Sequence, residues 1–204
     1  MKKLGKRLLF CAVLAAALWT GSLLADRHRL RTELIRLHVV ANSNSRDDQT
    51  IKLLVRDAVL ESIQNDLSQL SDMAAARAYL QENMGLIRSA ANRVLLEAGY
   101  DGEAVVSLCR EAFDTRVYDT FTLPAGVYES LRIEIGAGEG KNWWCVAFPA
   151  LCLPATTKSF SDTAETAGFP KSLSGALAGE QRYEIRFFLL DTLGRIENIF
   201  FPEA

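Results

Sequence analysis

An unbroken apolar run from Leu8 to Trp19, set behind Lys2, Lys3, Lys6 and Arg7, dominates the first 25 residues. Apolar character resumes at Leu23-Leu24-Ala25 and stops abruptly at Asp26-Arg27-His28-Arg29. Positive, then apolar, then a small residue is the layout of a secretory leader. The 18 residues from Leu8 to Ala25 are also just long enough to span a bilayer as a helix. The basic start then stays cytoplasmic and the body lies outside. Ala25 suits a peptidase, whereas Leu23 is larger than the residue preferred two positions before a cut. A cleaved signal and an uncleaved anchor are both open, and export is common to them. An amphipathic cytosolic helix does not fit, because the run has no polar face.

The body beyond the leader is long enough for one domain with a real core and too short for two. Setting the four leader cations aside leaves it at −6 against −2 for the whole chain. A mildly acidic body without clustered Lys and Arg excludes nucleic-acid binding, which needs such clusters to neutralise phosphates. Cys11 lies in the leader, leaving Cys109, Cys145 and Cys152. In an oxidising compartment Cys145 and Cys152 are placed to pair around Pro149, with Cys109 free and buried. No Cys/His cluster has zinc spacing, so no metal site or cofactor is expected.

Along the body, Ile35, Leu37 and Val39 alternate with Arg36 and His38, a half-buried strand ended by Asn42-Ser43-Asn44-Ser45. Ser45 is an N-cap candidate, with Asp47 and Asp48 complementing the dipole of a helix to about Leu70. A second helix is expected from Ser71-Asp72 to Gly99. Ala104–Phe113, Val117–Leu123, Tyr128–Ile135 and the Trp143–Phe148 segment read as strands, the last apolar on both faces. Residues 155–180 are rich in small polar residues and read as a long flexible loop. Tyr183, Ile185 and Phe187 then read as a strand, followed by a short final helix. The expected class is α+β: a mainly antiparallel sheet with an antiparallel helix pair on one face and a short C-terminal helix. The expected organisation is a leader or anchor over 1–25 and a single exported domain over 26–204.

The Gly136-Ala137-Gly138-Glu139-Gly140-Lys141 loop lacks the Walker pattern. Ile135 stands where the first Gly belongs, and Asn142 where a Ser or Thr would follow the Lys. A hairpin whose glycines supply positive φ is the expected reading. Cys145 with His38 is the best nucleophile–base pair on offer, but a Cys between Trp144 and Val146 in a buried strand reads as inert core. Asp47 with Asp48, and Glu134 with Glu139, fit helix-start and turn positions. Alternation sends Trp143 and Trp144 to opposite faces, freeing one indole to anchor a partner.

Three stretches together resemble the stage II sporulation protein R family. They are IRLHVVANSNSRDDQTIKLLVRDAVL (Ile35–Leu60), YDTFTLPAGVYESLRIEIGAGEGKNWWCVAFPALCL (Tyr118–Leu153) and the late YEIRFFLL. The string GKNWWC with a second Cys seven residues on is the most specific part. The resemblance implies a signalling protein of endospore formation, made in the forespore and exported to the space between the two membranes. There it would activate a membrane-embedded aspartic protease of the mother cell, which cleaves the pro-sequence from the sigma-E precursor. The family supplies no catalytic residue. On this reading the partner surface falls on Lys141, Asn142, Trp143 and Trp144, with His38, Asn42 and Ser43 from the HVVANS turn, and the membrane is met through the N-terminal segment if it is uncleaved. The competing expectation is an exported hydrolase or cell-wall-modifying enzyme using Cys145 or an acidic pair.

Overall fold

The computed structural model describes residues 2–149, 160–166 and 168–201. A single long helix, α1 (Lys2–Thr32), leads into strand β1 (Ile35–Val40). Three helices come next: α2 (Arg46–Leu67), α3 (Met73–Glu82) and α4 (Met84–Glu97). They are succeeded by β2 (Ala104–Phe113), the two-residue strands β3 (Arg116–Val117) and β4 (Thr122–Leu123), β5 (Gly126–Ile135) and β6 (Asn142–Phe148). Helices α5 (Phe160–Thr166), α6 (Lys171–Leu177) and α7 (Glu184–Asn198) complete the described chain. The class is α+β, and the main sheet has the order β2-β5-β1-β6, antiparallel except where β1 runs parallel to β5.

Local chemistry explains the helix limits. Ser45 accepts from the Asp48 N–H at 3.1 Å and Asp72 from the Ala75 N–H at 2.9 Å, so α2 and α3 start on side-chain caps. The helix expected over 71–99 is broken at Asn83, between α3 and α4. At its far end Gly99 takes φ 69°. The Tyr100 N–H then reaches the Leu95 carbonyl and the Gly99 N–H that of Leu96, at 2.9 and 3.0 Å. That pair of bonds is a Schellman stop.

The sheet is covered on both faces. One face packs Leu37, Val39, Leu131 and Ile133 against α2, α3 and α4. The other packs Phe113, Tyr128 and Val146 against the end of α1 and against α5, α6 and α7. All six residues of β1 are therefore buried, and the expectation that Arg36 and His38 face water is corrected. β6 is apolar on both faces although it lies at the sheet edge, because helices cover it on each side.

Three further expectations change. The glycine loop is no hairpin: β5 and β6 are not neighbours, and the loop passes over the end of β1. Within the supposed loop at 155–180, residues 160–166 and 171–177 are helical. Phe160, Ala164, Leu173 and Leu177 are buried there, so apolar anchors spaced by one helical turn decided the structure over the small polar residues between them. The strand expected at Tyr183–Phe187 is a 3-10 turn (Gln181–Tyr183) leading into α7. Leu190 and Gly194 extend the apolar spacing to helical period and bury that face.

Candidate functional site

The two segments singled out from the sequence meet at one end of the sheet. Register places His38 opposite Trp144, Val39 opposite Trp143 and Val40 opposite Asn142. Beyond the strand ends, the Asn42–Ser45 turn and the Gly136–Lys141 crossing are laced together. Asn42 accepts from the Ala137 N–H through its side chain and from the Glu139 N–H through its carbonyl, at 3.0 and 3.1 Å. Asn44 accepts from the Lys141 N–H at 2.8 Å, and Lys52 of α2 donates to the Lys141 carbonyl at 3.0 Å. Gly136 and Gly138 hold positive φ of 58° and 66°. At Gly140 any Cβ would run into the Ser43 carbonyl, so this close approach requires glycine.

Asp48 anchors the turn. Its carboxylate accepts from Ser43 Oγ at 2.5 Å and Asn42 Nδ2 at 3.0 Å, and these two bonds hold its carboxyl below the usual range. Asp48 is thus a turn and cap residue, as the sequence indicates, and Asn42 and Ser43 spend their side chains on it.

The two indoles part company. Trp143 lies on the α2 side, 36% exposed, with the Arg56 guanidinium 4.3 Å above its ring centroid. Trp144 lies on the opposite face, stacked on His38 at 5.6 Å and carrying the Arg116 guanidinium at 3.5 Å. Trp143 is therefore the indole open to a partner, while Trp144 is engaged within the fold.

Around His38 the structure assembles a polar cluster inside the second core. His38 Nδ1 lies 3.0 and 3.2 Å from the Glu111 carboxylate oxygens, and Arg132 donates to Glu111 at 2.8 Å. Burial alone would raise the Glu111 carboxyl, but the His38 and Arg132 bonds outweigh it and hold it down at about 2. The ionised carboxylate only accepts, so His38 Nδ1 carries the proton. Arg36 is fully buried, and among the described residues its bonds go to neutral partners. It donates to Tyr118 Oη at 2.7 Å and the Cys145 carbonyl at 3.3 Å, and its guanidinium lies 4.2 Å from the Phe113 centroid. Desolvation pushes its pKa down from the ordinary value. One sequence signal pointed towards this cluster, the alternation of Arg36 and His38 with apolar residues. Glu111 and Arg132 join it only through strand pairing in the main sheet, and Arg116, on the separate β3–β4 pair, by lying over the Trp144 ring.

Cys145 is disulfide-bonded and packs on the α2–α4 face, opposite the face that holds His38. A Cys145–His38 dyad is thereby ruled out. Cys152, its expected partner, lies outside the described residues. Cys109 is free but only half-buried, and burial raises its thiol pKa. Among the described residues no group of His, Cys, Asp and Glu is arranged to hold a metal ion. Within α1, residues 3–22 are exposed, and the helix is long and apolar enough to cross a membrane.

A family model described as stage II sporulation protein R matches residues 31–158. "Stage II sporulation protein R" of Bacillus subtilis (strain 168) is 35% identical over 120 residues, 59% of this chain and 54% of that protein. The chain thus spans about half the length of the curated relative it matches. No solved structure matches it.

Proposed function

Because the chain belongs to the stage II sporulation protein R family, we propose that it is an exported signal that activates a membrane-embedded aspartic protease, and so triggers processing of the sigma-E precursor. Its place in sporulation follows from the family; export from the forespore, the protease partner and the processing step are the proposal. The observation that carries it is the end of the sheet where hydrogen bonds lace the HVVANS turn to the GKNWWC crossing. There Trp143 stands half-open beside Lys141 and Asn142, both in solvent contact. An activator must bind the active state of its target better than the resting state, and a pre-formed surface with one aromatic anchor meets that need without large ordering costs. The exposed apolar α1 supports delivery to a membrane face, as a signal or an anchor.

The test is reconstitution in a non-sporulating host. The chain, the protease and the sigma precursor are co-produced, and precursor size is followed by immunoblot. Cleavage is expected only when the chain carries its N-terminal helix, and Trp143→Ala is expected to abolish it while leaving the protein folded. Full cleavage with Trp143→Ala would remove this surface from the mechanism. No cleavage with all three proteins folded and located would overturn the protease role.

A further inference from the structure

We infer that α7 lies on the surface of a lipid bilayer, with its outer face among the headgroups and upper acyl chains. The inference rests on the membrane placement of α1 proposed above and extends it to a second element. Helix α7 is apolar on two opposite faces. Phe187, Leu190 and Gly194 face the sheet core. On the other side Ile185, Phe188, Ile196 and Ile199 recur at helical spacing, all at least half exposed, and Phe200 and Phe201 continue the patch. A surface helix of a soluble domain carries polar residues there. A contiguous apolar patch larger than a few hundred Å² marks an interaction surface.

The position of α7 relative to α1 says what covers it. Arg186 donates to Asp26 and to the Ser22 carbonyl and hydroxyl, at 2.5, 3.3 and 3.1 Å. Glu197 accepts from Arg27 and Arg31, each at 3.0 Å. The first tether sits where the apolar run of α1 gives way to Asp26 and the charged residues after it, which is where a spanning helix leaves the hydrocarbon. Between the two tethers α1 rises by roughly 8 Å and α7 by roughly 16 Å at the helical pitch. So α7 advances along the α1 axis by less than its own length, which sets it across α1 rather than alongside it. Interfacial helices bury their apolar face about 5–10 Å deep. Ile185 and Phe188, nearest the boundary, go in first.

The test uses the full chain in vesicles of phosphatidylglycerol and phosphatidylcholine, with bromine on the upper acyl chain of the phosphatidylcholine as quencher. Trp19→Phe removes the indole of α1 and leaves Trp143 and Trp144 as a constant background, and Phe188→Trp, at an exposed position, is read as the difference from that parent. The expected result is blue-shifted emission and at least a twofold bromine quench of the added indole. Phe200→Trp serves as a second probe at the other end. Water-like emission without quenching at both positions would overturn the inference. Protection that appears only when the protease is present would overturn it too, since protein rather than lipid would then cover the face. Trp19 is read separately, as the difference between the unaltered chain and Trp19→Phe, which share Trp143 and Trp144. If it is quenched while the α7 probes are not, α1 is in the membrane and only this inference fails. If Trp19 is unquenched as well, the membrane placement of α1 falls with it.

Discussion

The imidazole of His38 stacks on the indole of Trp144, its cross-strand partner, with centroids 5.6 Å apart and planes 23° from parallel. Arg132 occupies the matching position on the other side of His38, so one row of β6, β1 and β5 reads indole, imidazole, guanidinium. Glu111, on β2, neutralises that row by binding both His38 and Arg132. Trp144 therefore acts as the apolar wall of a buried charge cluster.

Glu111→Gln removes the ionised acceptor that His38 and Arg132 share. Breaking a buried pair of this kind costs about 3–5 kcal/mol, so the urea midpoint is expected to fall sharply. The pH dependence has a definite sign. The folded carboxyl titrates at about 2 against an ordinary 4.5, so its contribution is complete above pH 4.5 and is lost as pH falls towards 2. The Gln variant should lose that segment of the acid-unfolding curve, and an unchanged curve would show that Glu111 is not coupled to folding.

Arg36 invites the opposite substitution. Arg36 bears the cost of desolvating its charge with only neutral partners among the described residues, and an apolar side chain of similar length removes that cost while giving up two hydrogen bonds worth about 1 kcal/mol each. Arg36→Met should keep or raise the melting temperature, whereas Arg36→Ala should lower stability by about 3 kcal/mol through the cavity it leaves. Calorimetry on the two variants settles the sign.

Gly194 is where α7 touches the turn before β5. A methyl group there would overlap the Ala125 carbonyl, which belongs to backbone that cannot swing away. Gly194→Ala is expected to displace α7 and cost on the order of 1–3 kcal/mol by overpacking. Gly85→Ala, in open space in the first turn of α4, should instead gain up to about 1 kcal/mol. Thermal melts of the pair separate packing from propensity.

Asn42→Ala cuts the side-chain bonds to the Ala137 N–H and to Asp48. A loss of about 1–2 kcal/mol is expected, together with faster amide exchange in the 136–141 crossing, readable by hydrogen exchange. Unchanged protection there would mean that the backbone bonds from Glu139 and Gly140, with Asn44 and Lys52, hold the crossing without the Asn42 side chain.

The elements with a single strong period were legible in the sequence. The Ser45 cap, the apolar spacing through α2, the Gly99 stop and the strands at 104–113 and 128–135 all obey local rules that the fold keeps. The features that escaped depend on layers formed by distant residues. Arg36 and His38 alternate as a water-facing row should, yet α1 and the helices after residue 160 close over them. Tyr183-Glu184-Ile185-Arg186-Phe187 satisfies period two and a helical period alike, and only the packing of Leu190 and Gly194 chooses between them. That the HVVANS and GKNWWC segments adjoin was not visible either. It requires β6 to pair with β1 across a loop of glycines that locally reads as a hairpin.

Strand β1 is the first body element after α1, yet both of its sheet neighbours arrive late, as residues 129–134 and 142–148. A chain emerging from its N-terminal side cannot complete the row beside β1 until nearly three quarters of its length has appeared. Closure of such non-local pairings is slow. For a chain threaded through a narrow conduit, this order keeps the leading part loose until the span through β6 is clear, so the sheet does not lock while its own strands are still in transit.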